Sequence, residues 1–112
     1  MLYKLSRIRE MNDYVVFYTS KRQKNDYVKG AKWDSAVIPI KEFCRNDPER
    51  PLKIEVYEWR RVKGVIYQFF VTEAPLTLSR IEEGIGLTFT MYANKLAHGK
   101  LKILEFEKKY QF

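Results

Sequence analysis

A chain of 112 residues, 46% of them hydrophobic and 15% aromatic, supports one packed domain spanning residues 1–112 and leaves no room for a second core. The same composition argues against disorder, and no apolar run approaches the roughly 20 residues that span a bilayer. Lys and Arg number 21 against 14 Asp and Glu, so the net charge of +7 directs attention to anionic partners: phospholipid headgroups, nucleic acid or an acidic protein face.

The dominant pattern along the chain is alternation of period two, the signature of half-buried strands. Short strands are predicted over Tyr3–Ile8, Tyr14–Thr19, Tyr27–Lys32 and Ser35–Lys41, with turns at Asn25-Asp26 and Asn46-Asp47-Pro48. Leu52, Ile54 and Val56 then face one way, while Lys53, Glu55, Tyr57 and Trp59 face the other. After a turn at Lys63-Gly64, Val65, Tyr67, Phe69 and Val71 repeat the pattern. Ala74–Glu83 breaks it: Pro75 opens the segment and Leu78 and Ile81 stand three apart, which suits a helical turn or irregular crossover. Turn signals follow at Glu83-Gly84 and His98-Gly99. Leu87, Phe89 and Met91 alternate with Thr88, Thr90 and Tyr92, and the last run changes phase between Leu101, Ile103 and Leu104, Phe106, predicting a bulge near Ile103. About eight strands at this spacing predict an all-β, antiparallel eight-stranded sandwich. Its expected core is Val15, Phe17, Ile38, Ile40, Leu52, Ile54, Val56, Phe69, Leu87, Phe89 and Leu101.

Two basic groups are the candidate binding residues. Arg60, Arg61 and Lys63 fall at the end of an alternating run and are read as a loop. Arginine offers a planar fork for phosphate, yet a solvated hairpin loop would have the same composition. Lys21, Arg22, Lys24, Lys29 and Lys32 form a second basic region on a strand pair, equally suited to deterring edge-to-edge pairing. Tyr57, Trp59, Phe69, Phe70 and Tyr92 invite comparison with stacking platforms for single-stranded nucleic acid. Their place on alternating strands makes core packing the better reading, and nucleic acid is disfavoured as a partner. Cys44 is the single cysteine, which excludes an intrachain disulfide and a cysteine zinc site and favours a reducing, intracellular location. The N-terminal MLYKLSRIREMNDY has no apolar h-region of a secretory signal. His98, the one histidine, sits in a polar turn without partner ligands, and no nucleophile–base motif or phosphate-cradling glycine loop occurs. The expectation is a binding protein rather than an enzyme.

Laid out in this order, the sequence resembles the second C2 domain of the copine family. The resemblance rests on Asp13 through Tyr18, on Trp33 through Ile40 followed by Phe43-Cys44, on Asp47 through Glu58, and on His98-Gly99-Lys100-Leu101 through Tyr110-Gln111-Phe112. It implies a C2-like sandwich. In that family, carboxylates of two loops bind calcium, because a hard cation needs many oxygen ligands. Here Asp13 and Glu58 match two of those positions, Glu10 and Asn12 are imperfect candidates, and Arg60 and Gly64 fall where further acids belong. The implied module therefore takes no metal or cofactor. The von Willebrand A-type domain that accompanies copine C2 domains has no counterpart in these residues. The expected function is a calcium-independent adaptor at an anionic phospholipid surface, cytoplasmic and peripheral to the membrane. The alternative is a structural subunit that makes protein–protein contacts in a larger assembly.

Overall fold

A computed structural model of the chain describes residues 1–10, 13–23, 31–39, 41, 44–45 and 47–107. The strands are β1 (Leu2–Glu10), β2 (Asp13–Thr19), β3 (Leu52–Val62), β4 (Val65–Leu76), β5 (Thr88–Ala93) and β6 (Leu96–Lys102), with helix α1 (Leu78–Glu83) between β4 and β5. They form one antiparallel sheet in the order β2-β1-β3-β4-β5-β6.

Alternation builds the two faces. Leu5, Ile54 and Ala74 lie in register across β1, β3 and β4, and Leu52 pairs with Leu76 one step along. With Val56, Ile81 and Met91 these residues make the buried cluster. α1 lays Leu78 and Ile81 over the sheet, and its first turn is capped by Thr77, whose hydroxyl oxygen accepts from the Arg80 amide at 3.2 Å. Trp33 and Ile38, from an irregular segment, and Leu101, Ile103 and Phe106 pack against the cluster's margin. Gly84 lets α1 end close to β5: a Cβ there would stand 2.2 Å from the Phe89 ring and 2.8 Å from the Arg80 carbonyl oxygen.

The opposite face is polar. The Lys53 ammonium lies 3.9 Å from both Glu55 and Glu73, the Tyr57 hydroxyl donates to Glu55 at 3.1 Å, and Lys4 sits 4.5 Å from the Tyr57 ring centre. A core face and a polar face are what a clean period-two pattern produces, although Leu2 and Ser6 on the second face are buried as well.

The β-rich, antiparallel character matches the sequence expectation, but the described residues hold six strands in one open sheet, not eight in a sandwich. Ser35–Pro39 is irregular rather than a strand, as are Ala31 and Lys32, while Tyr27–Gly30 and Ile40 lie outside the described residues. Leu52, Ile54 and Val56 are core as expected; Val15, Phe17, Ile38, Phe89 and Leu101 are half-buried. Phe69 and Leu87 are not core, being 45% and 61% exposed. Phe69 lies on the core-facing side, opposite Glu58, but past the ends of the neighbouring strands, where nothing among the described residues covers it. Val56 pairs with Thr72 but Tyr57 pairs with Phe70, so the extra residue Val71 reverses the phase of β4. Thr72, Ala74 and Leu76 therefore share a face with Val65, Tyr67 and Phe69, and only the first three are covered by the core. Leu87 precedes β5, whose buried residue is Met91. The bulge expected at Ile103 falls instead opposite Met91, between the Thr90–Lys100 and Tyr92–Ala97 pairs, where Gly99 has φ +97°.

Leu52, 1% exposed, should lose about 2–5 kcal/mol of stability as Leu52→Ala, through lost transfer energy and an unfilled cavity. Phe69→Ala should cost less than about 1 kcal/mol, because the side chain is already half in water. Urea unfolding of both variants checks this contrast; equal losses would place Phe69 in the core.

Candidate functional site

The site begins with a mismatch in strand length. β3 and β4 run 11 and 12 residues and are joined by a two-residue turn, Lys63-Gly64, with φ +51° and +78°. Positive φ at both central positions gives the type I′ geometry whose twist matches a hairpin. The ladder continues without interruption from Tyr57–Phe70 to Val62–Val65. The neighbours stop short: β1 pairs with β3 only as far as Leu2–Tyr57, and the pairing of β4 with β5 is at Glu73–Tyr92. Residues 58–71 therefore extend beyond the sheet as a two-stranded ribbon.

Because pairs directly across a ladder share a face, the ribbon's side chains sort into two sets. The face continuous with the core carries Glu58, Arg60 and Val62 opposite Phe69, Tyr67 and Val65. Arg60 donates to Glu58 at 2.9 Å and lies 5.6 Å from the Phe69 ring centre, and the Tyr67 and Phe69 rings are 6.1 Å apart. The other face carries Tyr57, Trp59 and Arg61 opposite Phe70, Gln68 and Ile66, with the Tyr57 and Phe70 rings in edge contact at 6.0 Å. Val62, Val65, Ile66, Tyr67, Phe69 and Phe70 are all exposed. Such a ribbon gains little from burial, and its aromatic–cation contacts are what hold its side chains in place.

The residues expected to form one basic loop are thus divided. Arg60 and Arg61 lie within β3 and point to opposite faces, and only Lys63 is in the turn. Lys63 and Arg61 have no ion-pair partner among the described residues.

The second basic region contributes Lys21 and Arg22. The Arg22 guanidinium stacks 3.8 Å from the centre of the Trp59 ring, a contact no spacing in the sequence announces. Lys21, Arg22, Trp59, Ile66 and Gln68 line an open depression of about 770 Å³. Lys32 is exposed beside Trp33; Lys24 and Lys29 lie outside the described residues. What positions Arg22 is an aromatic knot. The Tyr3 amide donates to Ser20 Oγ at 2.8 Å and the Ser20 amide donates back to the Tyr3 carbonyl at 2.9 Å. Trp33, edge-on to the Tyr3 ring at 5.2 Å, donates from Nε1 to the Lys21 carbonyl at 3.1 Å.

The carboxylates that the resemblance assigns to calcium do not converge. Asp13 opens β2 by the Arg7–Leu52 end of the sheet and is paired with Arg9 at 2.6 Å. Glu58 lies six residues farther along β3, roughly 20 Å away at 3.3–3.4 Å per residue, and is paired with Arg60. Among the described residues no group of three or more His, Cys, Asp or Glu could hold a metal ion, and no helix is long and apolar enough to cross a membrane. Against known family models, curated proteins and solved structures, the chain has no match.

Burial, followed by the neighbouring Tyr18 phenol, pushes the Tyr3 pKa from 10 up to about 12. Below pH 10 Tyr3 is neutral in folded and unfolded chains alike. Above it the unfolded chain ionises first, so this contribution is present at neutral pH and is lost as pH rises from about 10 towards 12. Urea midpoints measured from about pH 9 to 11.5 should fall less steeply for Tyr3→Phe than for the parent. A residual slope should remain from Tyr57, also raised by burial and by Glu55. Identical slopes would show that Tyr3 titrates freely.

Proposed function

We propose that the protein is a C2-like, calcium-independent module that docks peripherally on anionic phospholipid surfaces through the ribbon formed by residues 58–71. One observation carries this reading. The part of the molecule that extends beyond the sheet combines an apolar tip, Val62, Val65 and Ile66, with Lys63 in the turn and Arg60 and Arg61 just behind it. Aromatic rings at Trp59, Tyr67, Phe69 and Phe70 lie behind the cations, at a depth suited to the boundary between headgroups and water. Arg22 on Trp59 adds a further positive charge to one face. The net charge of +7 supplies long-range attraction to a negative surface. Calcium plays no part in this docking, since Asp13 and Glu58 are each engaged by an arginine.

The ribbon thus joins electrostatic attraction to shallow apolar contact. Each cation near an anionic leaflet contributes about 1 kcal/mol, so three contribute roughly 3 kcal/mol, on the order of a hundredfold in affinity. Exposed Tyr92, Leu87 and Leu96, which lie away from the tip, favour the second reading, a subunit that meets other proteins.

Co-sedimentation with vesicles separates the two. The parent should bind vesicles containing phosphatidylserine, weaken as salt shortens the Debye length from about 10 Å at 0.1 M, and ignore neutral vesicles. Arg60→Glu, Arg61→Glu and Lys63→Glu together should reduce binding by a hundredfold or more while leaving the far-UV spectrum and melting temperature unchanged. No binding by the parent, or equal binding by parent and triple variant, would overturn the proposal.

A further inference from the structure

We infer that two copies of this chain pair through the free edge of β4, forming a symmetric dimer by strand addition at residues 66–70. The inference rests on the ribbon's geometry and composition and stands or falls separately from lipid binding. Strand edges carry unpaired amides and carbonyls and are normally blunted by charge, bulges or irregular ladders. The sheet's outer strands follow that rule among the described residues. β6 contains Gly99 at φ +97° beside Lys100 and Lys102, and the β2 ladder with β1 is broken at two places. The distal part of β4 does not follow it. From Val65 to Thr72 the sequence VIYQFFVT has no charge, proline or glycine, in a chain of which 31% is charged. Its ladder to β3 is regular from Phe70 to Val65, with no bulge to interrupt the edge there. Its partner on that side, β5, pairs at Glu73 and leaves 65–71 without a strand neighbour among the described residues.

The absence of charge also selects the occupant. A net charge of +7 makes copies of this chain repel one another over most of their surface. An acidic partner would seek Arg60, Arg61 and Lys63, which lie on β3 and in the turn, rather than the neutral edge of β4. A second copy is suited to that edge. Antiparallel pairing about a two-fold axis at Gln68 sets Tyr67 opposite the second copy's Phe69 and Ile66 opposite its Phe70. Aromatic–aromatic and aromatic–β-branched pairs of this kind are the favourable ones across a ladder. The axis stands perpendicular to the ribbon, so the Arg60, Tyr67 and Phe69 faces of both copies fall on the same side. Five paired residues make an interface at the small end of the specific range, so the dimer should depend on concentration.

Sedimentation equilibrium of the full chain tests this. The mass should rise from 13.5 kDa towards twice that value, and no higher, from low to high micromolar concentration, and the dimer should strengthen as salt screens the net charge. Tyr67→Lys with Phe69→Lys places like charges across the axis and should give a monomer at every concentration; Tyr67→Glu with Phe69→Glu should do the same. Mixing the two variants should restore a species of two chains, which a folding defect could not do. A parent that remains monomeric, a dimer that survives the double lysine variant, or a mixture that stays monomeric would each overturn the inference.

Discussion

Everything distinctive in this molecule depends on a ladder that outlasts its neighbours. β3 and β4 are held together by the tight Lys63-Gly64 turn and by regular pairing down to Val62–Val65, while β1 and β5 end near Tyr57 and Glu73. Up to Val56 and Thr72 each strand has a core on one side. Past that point the same backbone continues with no layer covering it. The Val71 bulge marks the boundary between these regimes: it keeps Tyr67 and Phe69 on the same face as Thr72, Ala74 and Leu76, but only the latter three lie under the core.

The energetics divide at the same place. The proximal sheet is stabilised by burial of Leu5, Leu52, Ile54, Val56, Ala74, Leu76, Ile81 and Met91. The distal ribbon relies on contacts that are individually weak: Arg60 against Phe69 and Glu58, Arg22 against Trp59, and Tyr57 against Phe70. Such contacts order side chains without removing them from water, so the ribbon keeps apolar and cationic groups available. A surface of this composition is suited to a boundary between water and a negatively charged, partly apolar phase.

Much of the fold was legible in the sequence because period-two alternation survives wherever one face is buried. The alternation of Leu52, Ile54 and Val56 with Lys53, Glu55 and Tyr57 translates directly into a core face and a polar face. The limits of legibility have equally definite causes. A single inserted residue at Val71 reverses every later side chain on β4, and nothing in VIYQFFVTEAPL marks that position. Ala74 and Leu76 therefore do not read as core, while Phe69 does, although it stands where the neighbouring strands have already ended. Leu2 and Leu5 were hidden among the charges of β1, where Lys4 and Arg7 mask the buried positions. Ser35–Pro39 has no ladder of its own, and Trp33 and Ile38 pack against the cluster from this irregular segment. As for the site, the cations were recognisable by type, but their division between two faces and the stacking of Arg22 on Trp59 depend on pairing register and on chain segments far apart in sequence.

The central claim is that the ribbon stands apart from the core as the contact surface. Hydrogen–deuterium exchange of dilute protein, alone and with phosphatidylserine vesicles, tests it most directly. The account expects amides of residues 58–70 to exchange faster than those of 52–56 and 72–76 in the free chain, and to slow when vesicles are added. Exchange in the free ribbon as slow as in the core, or protection by vesicles confined to the Lys21–Lys32 region, would contradict it.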